Sequence, residues 1–218
     1  MRVRVKICGI RDKKTALEVS RAGADAVGFV FAHSKRQVEP DVAREIKAVL
    51  PPFVSAVGVV ADMDVEEVAQ IAAYCNLDVI QLHGAESPEY CAKLAQKIPA
   101  KIIKSIPVPV DGDAVELQDR IATYEAYVQA FLFDTAFGGV FGGSGRTFNW
   151  RLLKELKIKK PWLLAGGLNP DNVGEALRIV KPYGVDVSSG VETAPGIKDY
   201  ARIEAFIQSV RRWENEVN

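Results

Sequence analysis

Three reactive groups stand at or just past the ends of separate apolar runs: a thiol at Cys8, a carboxyl at Asp134 and a guanidinium at Arg36. A thiolate is a nucleophile or a base. The carboxyl closes the run Phe131-Leu132-Phe133-Asp134. Poor solvation there disfavours its charged form, which suits a proton donor. Arginine can grip a carboxylate in two parallel hydrogen bonds. Together they describe proton transfer on an anionic small molecule. Each also has a plainer reading. Most free cysteines are small buried hydrophobes, an aspartate can cap a loop, and Ser34-Lys35-Arg36 can be a solvated basic turn.

Other polar groups fall at similar places. In Val79-Ile80-Gln81-Leu82-His83-Gly84, alternation puts Gln81 and His83 on one face. Asp186 lies opposite Val185 and Val187. It is expected to partner an interior cation such as Lys6 or to support the site from behind, with support favoured. Lys6 shares a face with Cys8 at roughly 6–7 Å and is expected to lower the thiol's pKa. Three glycine-rich loops follow late strands: Gly142-Gly143-Ser144-Gly145, Gly166-Gly167 and Ser189-Gly190. Glycine lets backbone N–H groups converge on an oxyanion, so Gly143, Gly145, Gly166, Gly167, Ser189 and Gly190 are candidate phosphate contacts.

Something must bring these groups together. Strand signals fall at about 3–8, 26–31, 54–61, 78–83, 101–106, 130–135, 162–166 and 184–189, with helical periodicity between them. Apolar stripes include Val42-Ile46-Val49-Leu50, Val65-Val68-Ala69-Ala72, Cys91-Leu94-Ala95-Ile98, Val173-Ala176-Leu177-Val180 and Ile203-Phe206-Ile207-Val210. Asp12 reads as a helix cap, as do Ser87 and Asn169 with a proline after each. Strand and helix in alternation imply a parallel sheet with right-handed crossovers. Eight repeats favour closure into a (β/α)8 barrel, a single domain over residues 1–218, rather than an open doubly wound sheet. In such a barrel the chemistry sits at the C-terminal ends of the strands, where the polar residues above fall.

Composition narrows the partners. Lysine plus arginine equals aspartate plus glutamate at 28 each, so no excess charge is available to hold a nucleic acid. No apolar run approaches the ~18 residues of a membrane span, and the N-terminus lacks a signal-peptide core. Three unevenly spaced cysteines without a CxxC pair suit a reducing cytosol. His33 and His83 are the only histidines, too few for a multi-histidine metal site. Cys75, Cys91 and the tryptophans at 150, 162 and 213 read as packing residues.

The ordered set Lys6-Ile7-Cys8-Gly9, Gly23-Ala24-Asp25-Ala26-Val27-Gly28-Phe29-Val30-Phe31, Ser34-Lys35-Arg36, Gln81-Leu82-His83-Gly84, Asp134, Gly142-Gly143-Ser144-Gly145, Gly166-Gly167-Leu168 and Asp186-Val187-Ser188-Ser189-Gly190-Val191-Glu192 resembles the phosphoribosylanthranilate isomerase family nearly end to end. Two departures touch the barrel mouth. Arg11 stands where the family often has threonine, and the loop from Ala32 to Lys35 looks one residue short. The resemblance implies an Amadori rearrangement of N-(5-phosphoribosyl)anthranilate in tryptophan biosynthesis, with neither metal nor organic cofactor. Asp134 would be the acid and Cys8 the base. Arg36 would bind the anthranilate carboxylate and the glycine loops the phosphate. Gln81, His83 and Asp186 join them as substrate-binding candidates. A cytoplasmic enzyme follows, monomer or homodimer, acting on a phosphorylated small molecule. Two other readings stand beside it: another phosphosugar-converting barrel enzyme, and a non-catalytic phosphometabolite-binding barrel.

Overall fold

Val3, Val5 and Ile7 are fully buried under helices, while Lys6 and Cys8 are buried on the opposite side of the same strand. Two buried faces with different chemistry are what a strand in a closed barrel needs. The computed structural model, which describes residues 2–137, 140–141 and 147–217, forms that barrel. Its strands are β1 (Arg4–Cys8), β2 (Ala26–Val30), β3 (Ser55–Val60), β4 (Val79–Leu82), β5 (Lys101–Pro109), β6 (Ala130–Phe137), β8 (Trp162–Leu164) and β9 (Gly184–Val187). All eight pair in parallel, and the ring closes because β1 bonds β9 and β5 bonds β6. A short β7 (Val140–Phe141) runs antiparallel to β6. A small hairpin, β10 (Glu192–Ala194) and β11 (Ile197–Lys198), lies past β9.

The helices are α1 (Lys13–Arg21), α2 (Pro40–Lys47), α3 (Val65–Tyr74), α4 (Pro88–Lys97), α5 (Ala114–Tyr124), α6 (Val173–Val180) and α7 (Tyr200–Val217). Asp12 caps α1 by accepting from Thr15 N at 2.8 Å, and Ser87 caps α4 with Pro88 as its first residue. The main core lies between strands and helices. Inside the barrel, Ile103, Leu132, Leu163 and Ala165 pack with Val79 and Ala130. This apolar plug lies below the polar mouth, where Cys8 packs with Val30 and Val59.

Four expectations need correction. Between β6 and β8 the described helical element is a 3-10 turn, Trp150–Lys154, and not an α-helix. The α2 stripe is misassigned: Ala43 and Ile46 are buried, whereas Val42 and Val49 are exposed and Val49 lies beyond the helix end. On α4, Ala95 faces solvent while Cys91 and Leu94 face the core. Asn169 does not cap α6 directly. Its side chain accepts from Asp171 N and Asn172 N, forming a turn, and α6 begins at Val173.

Candidate active site

The mouth is assembled from strand ends. Cys8 closes β1, Asp134 projects from β6, and Asp186 from β9. Gln81 lies on β4 with His83 just beyond it. These five line one pocket with Arg36, Gly166, Gly167 and Ser189. Gly28 makes the Cys8 position available. A Cβ there would lie 2.8 Å from Cys8 Sγ and 3.2 Å from Lys6 Cε, so any side chain would displace the thiol.

Lys6 Nζ donates to Asp186 Oδ1 at 2.9 Å, with Lys6 almost fully buried. Asp186 is therefore the partner of the interior cation, the less favoured of its two expected roles. This changes the electrostatics of Cys8. Burial pushes the thiol pKa up; Lys6 pulls it down, Asp186 pushes it up again and Lys198 pulls it down. Lys6 thus lowers the value as expected, but burial, with Asp186, outweighs it and the net direction is upward. Removing a thiolate from water costs more than one already paired cation returns. Lys6 itself is kept charged: burial opposes the charge, but Asp186 and then Cys8 outweigh it.

Asp134 behaves as its apolar setting predicts. Burial, then the charge of Asp186, raise its pKa to about 7, against weaker lowering by the Thr135 backbone and Lys6. Its Oδ2 lies 3.6 Å from His83 Nε2. Burial and the positive charge of Lys6 lower the His83 pKa to about 4. Between those two values both groups are neutral, so their approach is not an ion pair. Gln81 Nε2 lies 3.1 Å from His83 Nδ1. An amide nitrogen can only donate, which makes Nδ1 the acceptor and leaves the imidazole proton on Nε2, facing Asp134.

Arg36 enters the pocket already half engaged. Its Nε and Nη2 donate to the two carboxylate oxygens of Glu192 at 2.9 and 2.7 Å. A guanidinium has five N–H donors in a planar fork, so the end carrying Nη1 and the second Nη2 hydrogen keeps its donors. Lys198 donates to the same Glu192 at 2.8 Å, to Ser188 O at 3.0 Å and to Ser188 Oγ at 3.2 Å. Ser188 Oγ in turn donates to Cys8 O at 3.1 Å.

The glycines divide. Gly166 has φ +82°, and a Cβ on it would lie 2.2 Å from Thr135 Oγ1; no side chain is tolerated against β6. Gly190 does not line the pocket. It lets its loop press against the one after β8, since a Cβ would sit 1.9 Å from Leu168 O. Gly143 and Gly145, with Gly142 and Ser144, lie outside the described residues. Lys104 turns outward to Glu86 and the carbonyls of Leu82 and Gly84, so it has no place in the barrel mouth. His33 is exposed, and among the described residues no group of three or more His, Cys, Asp or Glu could hold a metal ion.

Sequence reasoning gave no role to Ser188, Glu192 or Lys198. The signal was present in Glu192-Thr193-Ala194-Pro195-Gly196-Ile197-Lys198, where Pro-Gly between extended residues marks a hairpin. Such a hairpin sets its two end charges side by side.

The family model for N-(5'phosphoribosyl)anthranilate (PRA) isomerase matches residues 5–209. The chain is 51% identical over 215 residues to the N-(5'-phosphoribosyl)anthranilate isomerase of Moorella thermoacetica, covering 97% of this chain and 91% of that one. It is 50% identical over 212 residues to that of Desulforamulus reducens, covering 96% and 95%. The crystal structure of phosphoribosyl anthranilate isomerase from Thermotoga maritima superposes with TM-score 0.85 at 40% identity, covering 96% of this chain and 99% of that one. A phosphoribosyl anthranilate isomerase solved with reduced 1-(o-carboxyphenylamino)-1-deoxyribulose 5-phosphate gives 0.81 at 39%, with the same coverage. Agreement in sequence over nearly the whole length, and in the closed barrel, leaves one assignment: this chain belongs to the N-(5'-phosphoribosyl)anthranilate isomerase family.

Proposed function

We propose that this protein catalyses the Amadori rearrangement of N-(5-phosphoribosyl)anthranilate to 1-(2-carboxyphenylamino)-1-deoxyribulose 5-phosphate, the isomerase step of tryptophan biosynthesis. The observation that carries the site assignment is that Cys8 and Asp134 line one pocket, with Asp134 holding its proton up to about pH 7. Asp134 gives that proton to the furanose oxygen as the C1–O bond breaks, leaving a protonated Schiff base. That cation acidifies C2, and the Cys8 thiolate takes the C2 proton. The resulting enaminol gains a proton at C1 and loses one from the 2-hydroxyl to give the ketone. One proton leaves Asp134 and one arrives at Cys8, so the rearrangement is balanced without an external redox partner. Each proton-transfer group contributes about 10²–10⁴-fold.

Arg36 meets the anthranilate carboxylate with the fork end that Glu192 does not use. Gly166, Gly167 and Ser189 surround the phosphate. Asp186 keeps Lys6 paired beneath both. Gln81 Oε1, buried and without a hydrogen-bond partner among the described residues, is an acceptor suited to a substrate hydroxyl. The reading places the enzyme in the cytosol, where its three cysteines remain free thiols, as a monomer or homodimer.

The test is loss of anthranilate fluorescence when the protein is added to freshly made substrate. Cys8→Ala and Asp134→Asn should each nearly abolish that loss while both variants still bind inorganic phosphate. Near-normal rates in both would remove the proposed roles.

A further inference from the structure

The β10–β11 hairpin stands outside the barrel, yet its two end residues are among the most buried charges in the molecule. The side chains of Glu192 and Lys198 are 4% and 1% exposed. Paired across the hairpin, they reach the pocket through two routes. One runs from Glu192 to Arg36 by two hydrogen bonds; the other runs from Lys198 through Ser188 Oγ to the carbonyl of Cys8.

The charges do not balance. Arg36 and Lys198 bring two positive charges and Glu192 one negative, and Arg36 lines the pocket with its side chain only 19% exposed. A half-buried cluster with one cation in excess is one anion short, and a carboxylate at the free end of Arg36 would complete it. Glu192 also fixes the plane of the guanidinium, because two parallel bonds leave that end no freedom to rotate.

We infer that Glu192 and Lys198 are positioning residues that set the enzyme's selectivity for a carboxylated aromatic amine, by presenting the free end of Arg36 to the substrate carboxylate. This deepens the proposed function and rests on its assignment of Arg36. Neither residue touches substrate. Glu192 aims the guanidinium. Lys198 keeps Glu192 ionised against the cost of burial and ties the same hairpin to the Cys8 backbone. Burial alone would raise the Glu192 pKa, but bonds from Arg36 and Lys198 bring it below its ordinary value.

The experiment compares two substrates, N-(5-phosphoribosyl)anthranilate and N-(5-phosphoribosyl)aniline, which lacks the carboxylate. kcat and KM are measured by chromatography of product for the unmodified protein, Glu192→Gln and Lys198→Met. A glutamine keeps the shape but offers one acceptor oxygen in place of two and adds donors that face Arg36 and Lys198. The unmodified protein should prefer the carboxylated substrate in kcat/KM. Glu192→Gln should shrink that preference about tenfold or more, through KM for the carboxylated substrate, with the aniline compound little changed. Lys198→Met should shrink it by about threefold or more. General loss of structure would depress both substrates alike and leave the ratio intact. If the unmodified protein shows no preference, the assignment of Arg36 falls, and this inference with it. A preference that survives both substitutions overturns this inference alone. Should Glu192→Gln not fold, Lys198→Met decides.

Discussion

Asp134→Asn should make the protein more stable in neutral and alkaline solution while removing its activity. The native carboxyl titrates at about 7 against a reference value of 3.8. Its neutral form is the one the fold accepts. The stabilising share is fully present below 3.8, is lost as the pH rises, and is gone once the pH passes about 7. That interval corresponds to about 4 kcal/mol at ~1.4 kcal/mol per decade. An amide of the same shape does not titrate, so the variant escapes the loss. The neighbouring imidazole does not confuse the comparison, since His83 titrates at about 4 and is neutral wherever the carboxylate is charged. Urea unfolding of both proteins at pH 5 and pH 8 gives the test. The advantage of the variant should be about 1.5–2 kcal/mol at pH 5 and about 4 kcal/mol at pH 8. Effects of the substitution that do not depend on pH cancel between the two conditions, so the growth of about 2.5 kcal/mol is the decisive quantity. A pH-independent gap would mean that Asp134 is solvated as an ordinary carboxylate, and the argument for it as the acid would lose its physical basis.

The same two ionisations should shape the rate. With Asp134 required protonated and Cys8 required ionised, kcat/KM climbs with pH to about 7, levels off as loss of one proton offsets loss of the other, and falls above the thiol's pKa, which burial holds above 9.0. In Asp134→Asn the residual rate, lower by about 10²–10⁴-fold, should keep climbing through pH 7. A break near pH 4 in the unmodified protein, or one at pH 7 in the variant, would contradict this. Lys6→Met should raise the Cys8 pKa further and leave Asp186 buried without its cation, costing about 3–5 kcal/mol. Alkylation rate against pH reads the first effect and urea unfolding the second, and an unmoved thiol midpoint would show that Lys6 does not act on Cys8. Gly166→Ala, at φ +82° with its new carbon 2.2 Å from Thr135 Oγ1, should cost about 1–3 kcal/mol of stability and weaken inhibition by inorganic phosphate. Unchanged inhibition would remove that loop from the phosphate site.

The sequence is informative wherever the period of two fixes which way a side chain points. Lys6, Cys8, Gln81 and Asp186 sit on the inward face that alternation assigns them, Asp134 joins them from the end of its apolar run, and all but Lys6 line the pocket. Strand ends were legible for the same reason. Helix faces were less so. On α2 the alanine at 43 and not the valine at 42 takes the core position, because three-residue spacings leave neighbouring registers nearly equal. The direction of the Cys8 shift was not legible, since it depends on how much water the fold removes from the thiol. Nor was the claim of Glu192 on Arg36. Those residues are 156 apart in the chain, and only the closed barrel brings them within bonding distance.

The bond between β1 and β9 has a consequence for how the molecule is made. During synthesis β1 is the first of the eight strands to emerge, but its second neighbour, Gly184–Val187, arrives almost a whole barrel later. Until then β1 and β8 each carry an unmated edge, the kind of surface on which nascent chains adhere to one another. The Lys6–Asp186 bond is a stitch across that seam, and Cys8 stands on one lip of it. Sealing the cylinder and fixing the surroundings of the thiol are therefore a single event, and a chain arrested before residue 184 has the sulfur without Asp186 beside it.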